Sequence, residues 1–148
     1  MSDRAGFLDL VQPFRIENAN VRGRLVRLGP AYAEALDRHD YPETVGELLG
    51  ETLVMSAALA ASLKYDGIFT LQAQGNGPVG MIVADVTSDG HLRAYARIGD
   101  DDGDYEAAAD PEARGSVPRL IGSGHLAFTV DQGPDTDRYQ GITPLEGA

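Results

Sequence analysis

His39-Asp40 sets an imidazole beside a carboxylate, the raw material of a general acid–base pair. Neighbours in sequence rarely aim at one substrate, however, and no Ser lies in a nucleophile-elbow context. The chain has no Cys to act as nucleophile, and its other histidines, His91 and His125, fall in a hairpin turn and a strand. Gly75-Asn76-Gly77-Pro78-Val79-Gly80 spells the G-x-G-x-x-G of dinucleotide sites. That chemistry needs a strand before the motif and a helix after it, so that pyrophosphate sits on the helix N-terminus. Here strands are expected on both sides and Pro78 removes a donor, so the reading is a hairpin turn. The acidic run Gly99 to Glu106 offers carboxylates to calcium, but placing Gly103 at the sixth position of an EF-hand loop puts Ile98 at the first. It reads as a solvated loop. Glu43, Glu47 and Glu51 recur every fourth residue, yet one helix face gives a cation no second wall; the stripe instead favours the positive end of a helix dipole. Arg93, Tyr95 and Arg97 alternate along one strand and could bind an anion or stack on a base. A net charge of −11 favours a solvated sheet face. No catalytic, cofactor-binding or metal-ligating residue is assigned, and no enzyme activity is expected.

The elements that must position these groups are organised around one stretch, residues 42–64. Asp40 is the expected N-cap, Glu43 falls three residues on, and Pro42 sits in the first turn where its missing donor costs nothing. From Thr52 to Leu63 there is no charge, and apolar residues occur on every side. A helix apolar all round is buried in a core or in lipid, and an uncharged run of about a dozen residues is short of the roughly 20 that span a bilayer. The expectation is a core helix enclosed between sheets, in which Leu53→Ala or Leu59→Ala costs about 2–5 kcal/mol.

Leu8 to Ile16 and Val21 to Leu28 read as extended segments joined by a turn at residues 17–20, followed by a short helix from Ala31 to Arg38. After Lys64 the period changes: Phe69, Leu71 and Ala73 alternate with Thr70, Gln72 and Gln74. Asn76-Gly77 is a hairpin signal. Val79 to Asp85 returns, Ser88-Asp89-Gly90 turns again, and Leu92 to Ile98 completes a three-stranded meander. Residues 111–115 look irregular and Val117 to Ile121 holds a turn of helix. His125 to Val130 alternates, and Arg138 to Leu145 can pair with it. The fold class expected is α+β, with β/α/β layers and a buried central helix at about 42–64 between antiparallel sheets.

With 148 residues and 43% hydrophobic content, one globular domain with a real core is expected over residues 1–148. The acidic balance argues against a nucleic-acid surface. The absence of Cys excludes disulfides, thiolate zinc sites and thiol switches within these residues. The charged opening MSDRAGFLDLVQPF is unlike a secretory signal, so a cytoplasmic location is expected, with no membrane partner.

Several segments agree with one family when taken together. They are Glu17-Asn18 with Val21-Arg22-Gly23, His39-Asp40-Tyr41-Pro42, Leu63-Lys64-Tyr65-Asp66-Gly67, and Thr70, Gln72 with Gln74 to Pro78. Arg93 to Arg97, Gly122-Ser123-Gly124, Arg138 to Ile142 and Leu145-Glu146-Gly147 complete a collinear series from about Leu8 to the last residue. The combination resembles the N-terminal domain of the heat shock protein 33 family, the redox-regulated bacterial chaperones. The resemblance implies a holdase that binds unfolding clients without ATP under oxidative or heat stress, works as a homodimer, and buries a helix between sheets. It also implies a C-terminal zinc domain with four Cys ligands whose oxidation forms disulfides and unfolds a linker. None of those ligands can be placed here, so the chain looks like the core part of a longer protein, without a cofactor of its own. The alternative reading is a dimerisation and scaffold module with client capture by the linker.

Overall fold

The computed structural model describes residues 9–148. Its axis is α2, Glu43–Ala61, nineteen residues with nine buried. By length and hydropathy α2 could cross a membrane, but those nine residues pack against protein on both flanks. On one flank lies a two-stranded antiparallel ribbon of β1 (Leu10–Ile16) and β2 (Val21–Arg27), joined by a 3-10 turn at Glu17–Ala19. On the other lies a five-stranded antiparallel sheet in the order β5-β4-β3-β6-β7. Its strands are β3 (Ile68–Gly75), β4 (Val79–Thr87), β5 (Leu92–Ile98), β6 (Gly124–Asp131) and β7 (Tyr139–Leu145). The expected α+β class, with a central helix between antiparallel sheets, is the observed one. Leu8, included in the first expected strand, lies outside the described residues.

Alternation in β3 to β6 does what its pattern requires. Phe69, Leu71, Ala73, Ile82, Ala84, Val86, Ala94 and Ala96 are buried toward α2, and small residues on β4 and β5 let the helix sit close. The meander is as expected, with β6 and β7 added at the β3 edge.

The helix start differs from its expected form. Pro42, not Asp40, holds the N-cap position, without a side-chain cap, and its carbonyl accepts from Val45 and Gly46 N–H. The Glu43 carboxylate turns outward instead of capping. Glu43 Oε1 and Glu47 Oε2 clasp Arg114, at 2.9 and 3.0 Å. The helix ends at Ala61, three residues before Lys64.

The acidic run is also not a loop. Asp102–Ala109 forms α3, with Asp102 and Asp104 at the positive end of its dipole. Ala107, Ala108 and Ala109 are strong helix formers, and Ala108 is fully buried where the Thr44 hydroxyl of α2 donates to its carbonyl. α1 (Pro30–Asp37) is anchored by Tyr32, whose hydroxyl donates to Gly46 O at 2.8 Å. Burial, then the nearby Glu47 charge, raises the Tyr32 pKa. α4 (Val117–Leu120) inserts Leu120 and, just after it, Ile121 into the core.

Because Arg114 is half exposed, its double clasp is a modest contribution. Arg114→Ala should lower stability by about 1 kcal/mol or less, and the loss should shrink in high salt. Urea titrations at low and high NaCl measure both.

Candidate functional site

None of the chemistry-bearing groups assembles into a reaction centre. His39 sits against Tyr41, ring centroids 5.5 Å apart, and His91 faces Asp89 at 3.2 Å in an exposed hairpin turn. Thr87 and His91 hydrogen bonds hold the Asp89 carboxyl below its usual pKa. His125 lies on β6, on the sheet face away from α2. Among the described residues no group of three or more His, Cys, Asp or Glu side chains could hold a metal. The four-thiolate zinc site implied by the resemblance does not fit this chain, which has no Cys to supply it.

The glycine motif is a packing device. Gly77 N donates to Ile121 O at 2.7 Å, Asn76 N to Ser123 O at 3.1 Å, and Ser123 N to Asn76 Oδ1 at 2.9 Å. The β3–β4 turn thus zips onto the segment leading into β6. Of the Arg93, Tyr95, Arg97 face, Arg93 is bound to Asp85 at 3.0 Å, and Asp85 also accepts from Thr70 at 2.6 Å. An anion would have to displace that pair.

What the fold does present is apolar surface. The two ends of α2 differ. Val45, Leu49 and Leu53 are fully buried, and Ser56, Ala57 and Ala60 continue the same buried stripe. Val54, Met55 and Leu59 on the opposite stripe are 38–50% exposed, and Leu63, just beyond the helix, is 44% exposed. The expectation that Leu59 is enclosed is therefore corrected, because among the described residues no element covers that side of the second half of α2. Between this end of α2 and the sheet runs a groove of ≈ 510 Å³, lined chiefly by Leu59, Leu63, Tyr65, Phe69, Phe128 and Tyr139. Phe69 stacks on Phe128 at 6.2 Å, and Phe128 meets Tyr139 at 5.7 Å. The Tyr65 hydroxyl is tied to Val86 O at 2.9 Å, and burial, then the charge of Asp89, raises its pKa. The groove is shaped for aliphatic and aromatic side chains, with Ser62, Lys64 and Gln132 among its polar lining.

The groove ends at β7, among the described residues the outermost strand of the sheet, where Tyr139 is 66% exposed. An unpaired edge beside an apolar channel can accept an extended chain through backbone hydrogen bonds and side-chain burial. Sequence reasoning named none of these residues as a site. The signal available was the apolar excess of Thr52 to Leu63, which reads as core until the side left uncovered is known.

Comparisons with known proteins point one way. The family model described as "Hsp33 protein" matches residues 9–148. A protein named 33 kDa chaperonin from Caulobacter vibrioides is 49% identical over 139 residues, covering 94% of this chain and 45% of that protein. The protein of that name from Pseudomonas putida is 39% identical, covering 95% of this chain and 44% of its own length. The crystal structure of the Thermotoga maritima 33 kDa chaperonin, a heat shock protein 33 homologue, superposes with a TM-score of 0.70 at 26% identity, covering 91% of this chain and 45% of that one. The chain therefore spans less than half the length of the relatives it matches.

Proposed function

The chain belongs to the Hsp33 protein family, and from that premise we propose that it is the core of an ATP-independent holdase chaperone that captures unfolding proteins. The observation that carries this reading is the aromatic groove between the end of α2 and the β7 edge. Unfolding chains offer apolar side chains on extended backbone, and the groove with its free strand edge matches both features. An exposed apolar surface bordered by polar residues is the mark of a protein-binding site. Binding of this kind needs no bond-making groups, so no enzymatic activity is proposed.

Homodimerisation, a cytoplasmic location and a role in oxidative or heat stress belong to the same proposal, as does residues 1–148 acting as one chaperone core domain. So do the absence of nucleic-acid and membrane partners, and redox control through a zinc-binding, disulfide-forming region in the longer family chains. With no Cys, this chain carries no part of that switch itself. A scaffold and dimerisation module, with clients held elsewhere in the longer chains, is the alternative, favoured by the exposed ribbon.

A photoreactive residue at Leu63 or Tyr139 should crosslink to a chemically unfolded client as it is diluted into buffer. One at Glu106, on α3 near the opposite end of α2 and about 25 Å away by helix rise, should not. Equal crosslinking from all three positions would remove the groove from the proposal.

A further inference from the structure

The Asn76-Gly77 pair that turns β3 into β4 carries a reactivity that a hairpin does not use. Of the three asparagines, Asn18 precedes Ala19, Asn20 precedes Val21, and only Asn76 precedes a glycine. Asparagine is thermolabile because the next backbone nitrogen can attack its carboxamide. A side chain on that next residue obstructs the attack, and glycine has none. Asn76 is exposed, so water reaches it.

The fold holds both reacting groups away from this chemistry. Attack requires the Gly77 nitrogen to give up its proton and the Asn76 side chain to swing over it. The Gly77 N–H donates to Ile121 O at 2.7 Å, a short bond that keeps the proton in place. Asn76 Oδ1 accepts from Ser123 N–H at 2.9 Å, which aims the carboxamide at the 121–123 segment. Asn76 N–H donates to Ser123 O at 3.1 Å and completes the clamp. Gly122 is what lets the two segments approach so closely, since a Cβ there would strike Asn76 Oδ1 and Gly77 N. Freeing the nitrogen breaks the Ile121 bond, and swinging the carboxamide breaks the Ser123 bond.

We infer that Asn76 is a modification site, kept as asparagine while the turn is zipped to residues 121–123 and converted to aspartate and isoaspartate once it opens. In the open turn the Gly77 nitrogen, its proton passed to water, forms a bond to Asn76 Cγ. The Cγ–Nδ2 bond breaks, and Nδ2 leaves as ammonia after taking a proton from water. A water molecule then opens the succinimide ring at either carbonyl. Cleavage of the new N–Cγ bond leaves aspartate in an ordinary main chain, and its side chain can still accept from Ser123 N–H. Cleavage of the original Asn76–Gly77 peptide bond leaves isoaspartate, whose main chain runs through Cγ and is longer by a methylene. A turn lengthened in this way cannot return both the Asn76 and the Gly77 N–H to their partners. Isoaspartate at position 76 is thus a one-way record that the turn has opened.

Peptide mapping by mass spectrometry tests this on the whole chain, incubated folded in buffer and unfolded in urea at one pH and temperature. In urea Asn76 should convert faster than Asn18 and Asn20. Reaction through an open state follows the opening equilibrium, so the folded chain should convert at Asn76 about tenfold or more slowly. Gly122→Ala, shown by circular dichroism to be folded, should speed conversion in buffer by about tenfold, because it strains the zipped state. Hydrogen exchange at the Gly77 amide of the parent chain, which needs no variant to fold, should be protected to the same extent as Asn76, since one opening frees both. Equal rates in buffer and in urea would overturn the clamp. So would a folded Gly122→Ala chain that converts like the parent, or a Gly77 amide that exchanges freely while Asn76 stays intact. An Asn76 that stays intact in urea would overturn the site itself.

Discussion

Leu53→Ala lowers the unfolding free energy by about 2–5 kcal/mol, the range for truncating an enclosed leucine. Leu59→Ala, on the same helix and of the same chemistry, should cost only about 1 kcal/mol. Leu53 is fully buried against the five-stranded sheet, so its loss removes apolar burial and leaves a void among packed neighbours. Leu59 keeps 42% of its surface exposed, and its missing atoms only widen an open groove. Urea unfolding of the two variants, with unchanged m-values, gives the comparison directly. Similar losses at both positions would mean that α2 is enclosed on every side and that the groove does not exist in solution.

Gly122→Ala is expected to be comparably damaging without touching the core. Gly122 has φ +78°, a left-handed conformation that costs an L residue about 1–2 kcal/mol. A Cβ there would also run into Asn76 Oδ1 and the Gly77 amide, and overpacking of that kind adds about 1–3 kcal/mol. The same amide donates to Ile121 O at 2.7 Å, so relief by moving the turn breaks the zip. A total loss of about 3 kcal/mol is expected by chemical denaturation. Asn76→Ala should cost about 1 kcal/mol, because the Ser123 N–H it abandons is solvent-exposed and water replaces the bond. If Gly122→Ala were as mild as Asn76→Ala, the close approach of the two loops would be wrong.

These two predictions mark what could be read from the residues. The alternation of Phe69, Leu71 and Ala73, the Asn76-Gly77 turn and the apolar run of α2 are local patterns, so the sheet and its helix were legible. α3 was not, because Asp100 to Asp104 read as a solvated loop, and what fixes the helix is the contact between Ala108 and Thr44, 64 residues apart. The Arg114 clasp on Glu43 and Glu47 is equally remote in sequence, which is why the acidic stripe read as free. The candidate site was the least legible part. Leu53 and Leu59 look alike in a string of apolar residues, and only the placement of the sheet makes one core and the other surface. Phe128 and Tyr139 come from strands whose pairing sets them side by side. Likewise, the resemblance to the heat shock protein 33 family identified the fold but named no contact residue.

The proposal drawn from the groove and the exposed stripe of α2 is that this core captures apolar unfolded chain by itself. The direct measurement is light scattering of a chemically unfolded client diluted into buffer with and without the chain, run under reducing conditions and again with peroxide. Suppression of aggregation should be the same in both, since no Cys is present to respond, and should fall when Leu59 and Leu63 are both replaced by Ser. A folded chain that leaves aggregation unchanged would contradict it, and would make this part of the family a scaffold for a client site elsewhere.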